Sequence, residues 1–399
     1  MAALGRLAVR GALGFSSESN TSRRKRVKVI AERTLPFVNV AMWSGGHYSL
    51  ATKGCKDVID GATPFVLDAI LRLPETDSAR PFTMTDMGCA DGGTSLEMVR
   101  QAVGAARARW LQRPITVVYA DQPRNDYNSL FHLIHGLTPF PTYLDEFEDV
   151  HVMAAATSFY RPILPAGTLD LGFSATAMHW LSRKPCDLTN HVHMVGATGA
   201  ELAAFAEQGR RDWETILLQR ARELAPGGRL VLVNFCRDEA GRYLGNTDGV
   251  NMFATFNTLW RRFAAEGVIS SEEYKAMTFP QYYKTVEEFT QPLTDTASPV
   301  YRAGLRLEQC ETRVVPCPFA AEFRQHGDAV RFAHEYIPTL RSWTESTFWG
   351  ALSLNRPLEE RQAIIDRYYG AYETLVRENP EGHGMDYVHI YLAIAKTGA

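Results

Sequence analysis

The sequence predicts an α/β fold: a mostly parallel sheet covered by helices on both faces, with an α-helical cap. Three observations carry that expectation. Short apolar runs alternate with stretches of helical spacing, the pattern of strands joined by crossover helices. One run ends in a glycine-rich turn, "DMGCADGGTSL" (Asp86 to Leu96), between a strand and a helix. Two helical, aromatic segments interrupt the rhythm, and each is followed by a strand-like piece that returns to the sheet.

In chain order, residues 1–35 are set aside from the fold. The lead "MAALGRLAVRGALGFSSESNTSRRKRVKVIAER" places arginines among alanines and leucines, with Glu18 as its first acid. That is the composition of an organelle transit peptide, and equally of a disordered basic tail. Arg23 to Arg26 also has the composition of a short nuclear signal. The expected compartment is the cytoplasm, or the mitochondrion or plastid if the lead is a transit peptide.

The core is expected over 36–236. Phe82, Met84 and Met87 mark a buried strand leading into the glycine turn. "ITVVYAD" (Ile115–Asp121) is a continuous apolar run ending in an acid, and Val150–Ala156 and Leu169–Thr176 are further strands. Glu201–Ala225 has apolar residues at helical spacing, and "APGG" then sets off a strand over Arg229–Phe235. Residues 237–295 form a first helical cap segment around "FATFNTLWRRFAAEGV", and 296–318 return to the sheet. Residues 319–380 form a second cap segment, and 381–399 supply the last strand. Such sheets bind ligands beyond the C-terminal ends of their strands. Asp86, Gly88, Asp121 and Ser174 should therefore converge on one crevice.

Composition narrows the partners. The 399 residues suffice for a large domain with a cap, and 45% hydrophobic with 22% charged content is ordinary for a globular chain. A net charge of −3 carries no electrostatic footprint for nucleic acid. The six cysteines are scattered without a C-x-x-C pair, so no metal site and no disulfide framework is expected. No apolar run reaches about 18 residues, so no membrane span is expected.

The glycine turn lets the backbone pass close to a ligand, and a helix N-terminus favours electron-rich groups. Gly88, Gly92 and Gly93 do not make G-x-G-x-x-G, and no G-x-x-x-x-G-K-[ST] follows. Asp121, at the tip of the second strand, is positioned to accept hydrogen bonds from ribose hydroxyls; a surface loop acid is the plain alternative. A glycine turn without a diphosphate cradle, combined with such an acid, points to S-adenosylmethionine rather than NAD.

At this point the chain resembles a known family, the plant-type SABATH methyltransferases of salicylate, benzoate, jasmonate and xanthines. "DMGCADGGTSL" is similar to the family's D-L-G-C-S-S-G-P-N-T, and "DQPRNDYNSLF" (Asp121–Phe131) to its D-L-P-x-N-D-F-N-x-L-F. "TSFYRPILP" resembles G-S-F-Y-x-R-L-F-P, and "SATAMHWLSRKP" (Ser174–Pro185) resembles S-S-Y-S-L-H-W-L-S-x-x-P. "ELAPGGRLVLVNF" and "FPQYYKTVEEF" extend the likeness in the same order into the cap. The resemblance implies a Rossmann-like methyltransferase sheet, S-adenosyl-L-methionine as cofactor and a small-molecule methyl acceptor. A homodimer is among the expected states.

The resemblance also implies roles. Gly88 and its neighbours would pass beneath the cofactor, with Asp86 anchoring the loop. Asp121 would bind the ribose, Ser158 and Phe159 the adenine, and Tyr48 in "GGHYSLAT" would close over the cofactor. Ser174 would join them at its strand end. His179 and Trp180, the catalytic candidates, would face the acceptor, and Phe253 and Tyr282 would line its pocket. Without the surrounding strings, His179 and Trp180 would read as core packing and Tyr282 as a half-buried cap residue. Two positions depart from the pattern. Cys55, a poor donor, stands where the carboxyl methylators have glutamine, and Thr176 stands where a tyrosine is frequent.

Methylation of a carboxylate is an in-line displacement that needs no general base. Alignment in a closed site can contribute about 7–11 kcal/mol. For an alcohol or ring nitrogen, His179 would be the base candidate. O-methylation of a carboxylate leads; N- or S-methylation and a non-catalytic cofactor-binding protein are the alternatives.

Overall fold

In the computed structural model, which describes residues 52–75 and 80–397, five parallel strands set the frame. They are β1 (Phe82–Met87), β2 (Ile115–Asp121), β3 (Val150–Ala156), β4 (Leu169–Ala175) and β5 (Leu224–Arg237). The two-residue β6 (Lys284–Thr285) pairs in parallel with the C-terminal end of β5. β8 (Tyr387–Lys396) runs antiparallel between β5 and β7 (Leu305–Val315), giving the order β3-β2-β1-β4-β5-β8-β7. β4 is buried along its whole length, as a strand covered on both faces must be. β3, at the sheet edge, is not: Met153 is 53% exposed.

Helices α1 (Lys53–Leu71), α2 (Leu96–Arg109), α3 (Tyr127–Ile134) and α4 (Gly199–Glu223) belong to this core. α1 turns Cys55, Val58, Ile59 and Ala62 inward, the spacing of a single helical face. α5 (Met252–Ala265), α6 (Ser271–Ala276), α7 (Val286–Thr294) and the short α8 (Pro299–Arg302) occupy the first insertion. α9 (Pro318–His326), α10 (Ala329–Ala351) and α11 (Leu358–Glu378) occupy the second. The two insertions share an aromatic interior in which Phe256 of α5 meets Tyr372 of α11 edge-on at 5.4 Å, a pairing worth about 0.5–1.5 kcal/mol beyond its buried area. Asn251 caps α5, and capping boxes start α6 at Ser270 and α7 at Thr285.

Strand order reverses at β1, with β2 and β3 on one side and β4 and β5 on the other. A crevice is therefore expected over the C-terminal ends of β1 and β4. Two boundaries differ from the sequence reading. β5 begins at Leu224 rather than after "APGG", because Leu224 already pairs with Leu169 and a register shift absorbs the turn residues. Gly227 takes the left-handed φ of +76° that this irregularity requires. β4 ends at Ala175, since Thr176 itself turns to φ +53°.

Candidate active site

β1 delivers Asp86 to the crevice, and the chain then turns sharply at Gly88, whose φ is +84°. A Cβ at Gly88 would lie 2.3 Å from the Ala177 Cβ, so only glycine fits. Ser95, just before α2, donates its hydroxyl to Asp86 Oδ2 at 2.6 Å. Asp121, at the end of β2, holds the middle of the loop. Its Oδ2 accepts from the Ala90 N–H at 2.8 Å, and its Oδ1 accepts from the Gln122 N–H at 2.6 Å. The loop is thus anchored at both acids, not at Asp86 alone. A cleft of about 300 Å³ opens between Asp86, Gly88, Cys89, Ser95 and Thr176.

Burial dominates the charge state here. It pushes the Asp86 carboxyl up to about 7, against the Ser95 hydrogen bond and with added repulsion from Asp121. Burial also raises Asp121, while its two backbone donors work the other way. A cradle that a single Cβ would fill, bordered by the Asp86 carboxyl and with its loop braced by Asp121, fits the uncharged ribose and cationic methionine end of S-adenosylmethionine. Asp86, Gly88 and Asp121 are the residues that would hold it.

β3 pairs Ala156 with Asp121, so Ser158 and Phe159 emerge beside that acid. Ser158 Oγ accepts from the Tyr160 N–H at 3.3 Å, and the Phe159 carbonyl accepts from Arg220 at 2.9 Å. Ser174 is fully buried and donates its hydroxyl to the Met87 carbonyl at 2.7 Å. It ties β4 to β1 under the crevice and does not line the cleft. Tyr48 lies outside the described residues.

A second, narrow cleft meets the first at Thr176. Cys55 reaches it from α1, His179 and Trp180 from the turn after β4, and Phe235 from β5. Gly54, beside Cys55, lets α1 settle on β8: a Cβ there would lie 2.2 Å from the Tyr387 ring. His179 is only 3% exposed, and its Nδ1 has no partner among the described residues. Burial, with His389 and Lys284 nearby, drives its pKa well below the usual imidazole value, so the ring is neutral at physiological pH. Its centroid stands 5.5 Å from that of Trp180 and 4.8 Å from that of Phe235. Trp180 is pinned through its carbonyl, which accepts from the Tyr160 hydroxyl at 2.5 Å.

Two expected pocket residues are used otherwise. Phe253 is fully buried and stacks on His193 at 3.9 Å. Tyr282 donates its hydroxyl to Glu288, the capping-box acid of α7, at 2.7 Å. Its ring also stands 5.5 Å from the buried Lys284 ammonium, whose pKa burial pulls down to about 8. Neither residue lines the two clefts. The remaining walls of the second cleft come instead from Leu244, Trp343, Met385 and Tyr387. No motif flanks these residues; only the two-residue alternation of "YVHIY" hinted that Tyr387 faces inward.

Comparisons with known proteins agree with this geometry. A family model described as SAM dependent carboxyl methyltransferase matches residues 45–396. Indole-3-acetate O-methyltransferase 1 of Arabidopsis thaliana is 26% identical over 293 residues, covering 66% of this chain and 76% of its own. Loganic acid O-methyltransferase of Catharanthus roseus is 25% identical over 263 residues, covering 60% and 68%. A solved structure of loganic acid methyltransferase with SAH aligns over 90% of this chain and 99% of its own, with a TM-score of 0.68 at 21% identity, which shows a shared fold. Among the described residues, no helix is long and apolar enough to cross a membrane, and no group of His, Cys, Asp or Glu is disposed to hold a metal ion. With that family match spanning both the sheet and the cap that build the two joined clefts, the chain belongs to the S-adenosylmethionine-dependent carboxyl methyltransferase family.

Proposed function

We propose that this methyltransferase esterifies a small, largely apolar monocarboxylic acid bound between α1, β8 and the cap. The observation that carries the reading is the pair His179 and Trp180, which line the second cleft. Among the described residues, a buried neutral imidazole with an unpartnered Nδ1 stands beside an indole, and no lysine or arginine lines that cleft. Two neutral N–H donors suit a carboxylate, provided His179 carries its proton on Nδ1. The remaining walls, Phe235, Leu244, Trp343 and Met385, suit an apolar body.

When bound, S-adenosylmethionine supplies a sulfonium methyl group open to in-line attack. Asp86 and the Gly88 turn would fix its methionine end, Asp121 its ribose, and Ser158 with Phe159 its adenine. Tyr48 is proposed to close over it. The chain's own task is alignment. His179 and Trp180 hold the carboxylate, and the cap excludes water from it. The carboxylate is already ionised, so no proton moves, and a histidine held neutral serves as donor rather than base. The transfer this alignment would serve makes a carboxylate O–CH₃ bond at the expense of the S–CH₃ bond.

The relatives named above methylate indole-3-acetate and loganic acid, both carboxylic acids, which supports the reading. A nitrogen or sulfur acceptor is the second reading, favoured by Cys55 standing where an amide donor is expected. Incubation with labelled methyl donor and matched panels of acids, amines and thiols decides between them. Transfer to acids is expected; transfer confined to amines or thiols overturns it. The exposed β3 edge is proposed to pair with a second copy, tested by sedimentation, and no nucleic-acid partner is proposed. Import through the arginine-rich lead is tested by a fluorescent fusion, which cytosolic localisation with the lead intact would refute.

A further inference from the structure

The acceptor cleft shares a wall with a second, polar space. A groove of about 730 Å³ runs along residues 245–250 and 380–386 beside α9. Neighbouring residues in these segments face opposite ways. Leu244 and Met385 line the acceptor cleft, while Gly245, Gly384 and Asp386 line the groove. The segments are tied together by the Gly245 N–H, which donates to the Asp386 carbonyl at 3.0 Å. The Asp386 carboxylate accepts from Thr247 Oγ1 at 2.5 Å and from the Cys317 N–H at 2.7 Å. Farther along, Gly249 runs so close to Gly382 that a Cβ would lie 2.3 Å from its carbonyl oxygen. The backbone of the partition is therefore fixed. Its cleft side is closed by two side chains, Leu244 at 1% and Met385 at 2% exposure.

We infer that Leu244 and Met385 set the length limit of the methyl acceptor, by closing the end of the acceptor cleft in front of the fixed partition. The inference rests on the acceptor binding in the cleft, as proposed above. Truncating either side chain deepens the cleft toward the fixed backbone of the partition, because both side chains line the cleft and neither lines the groove. Longer acceptors should then enter.

The test uses the full chain and a homologous series of unbranched acids, beside equal-length amines and thiols. Both kcat/KM and Kd in the presence of S-adenosylhomocysteine are read. Wild type should lose at least about tenfold per step beyond its limit, the scale on which one methylene is discriminated. Met385→Ala should move that limit outward by about two or three carbons, the length of the side chain removed. Met385→Phe, which thickens the wall and keeps it apolar, should move it inward. Wild type ignoring every acid while using amines or thiols defeats the carboxylate reading alone, because the limit is still read on the accepted class. Unchanged length profiles in variants that bind S-adenosylhomocysteine normally overturn the inference. If Met385→Ala does not fold, Met385→Phe decides by the same criterion.

Discussion

On the proposed cofactor side of Thr176 the polar groups that hold the loop are paired off within the protein. Asp86 accepts from Ser95, Asp121 from Ala90 and Gln122, and Ser174 donates to Met87. On the acceptor side, His179 Nδ1 and both ring nitrogens of His389 are buried without a partner among the described residues. Unpaired buried polar atoms are costly. The first side is thus a preorganised backbone cradle, and the second keeps polar capacity open within an aromatic wall. Substitutions on the two sides should separate cleanly, the first moving cofactor affinity and the second moving turnover.

The largest effect is expected at Asp121. Asp121→Ala removes the proposed ribose acceptor and also strands the Ala90 and Gln122 N–H groups. Together these should cost about 2–4 kcal/mol. Calorimetry with S-adenosylhomocysteine should show affinity down by about two decades with the fold intact; unchanged affinity would remove Asp121 from the cofactor site. Trp180→Phe should keep the packing and lose one donor to a charged acceptor, worth about 1.5–3 kcal/mol. Catalytic efficiency should fall ten- to a hundredfold, as that range requires, with S-adenosylhomocysteine affinity unchanged. A parallel loss of cofactor affinity would erase the contrast between the two sides.

Stability should report the buried histidines. His179 and His193 are held far below their usual pKa and His389 is pulled down to about 3, each chiefly by burial. The unfolded chain protonates them near 6.5, so their contribution is fully present above that pH and is lost as pH falls through the folded values. Asp86 acts in the opposite sense: raised to about 7, it favours the folded state at low pH and loses that contribution as pH rises. His389→Phe should therefore flatten the acid limb of a denaturant-derived stability profile, by about 1.4 kcal/mol per pH unit below 6.5. A limb of unchanged slope would mean that His389 is not neutral in the folded protein. The smallest effect is expected from Cys55→Gln, which adds an amide donor to the cleft. Turnover of benzoate should rise by a few-fold, consistent with about 0.5–1.5 kcal/mol for one net hydrogen bond. A fall would mean that the cleft has no room for the longer side chain.

The same contrast explains what could be read from the chain. Asp86, Gly88 and Asp121 sit in short contiguous strings at strand ends, where parallel-sheet geometry dictates convergence. Leu244, Trp343 and Met385 come from segments far apart in sequence, and their common cleft is a product of cap packing that local periodicity does not encode. Phe253 and Tyr282 lie outside the two described clefts for a related reason. Aromatic spacing marks an inward face without saying whether it meets ligand or protein. The "APGG" turn signal was overridden by the pairing of Leu224 with Leu169.

The most direct test of the account is the chemistry of the transferred methyl group. The full chain is incubated with a labelled methyl donor and a mixed panel of small acids, amines and thiols, and the isolated product is treated with mild alkali. A carboxylate acceptor held by His179 and Trp180 gives a methyl ester, so the label should be released as methanol and the free acid recovered. Label that survives alkali in an N-methyl or S-methyl product would contradict carboxyl methylation as the activity of this site.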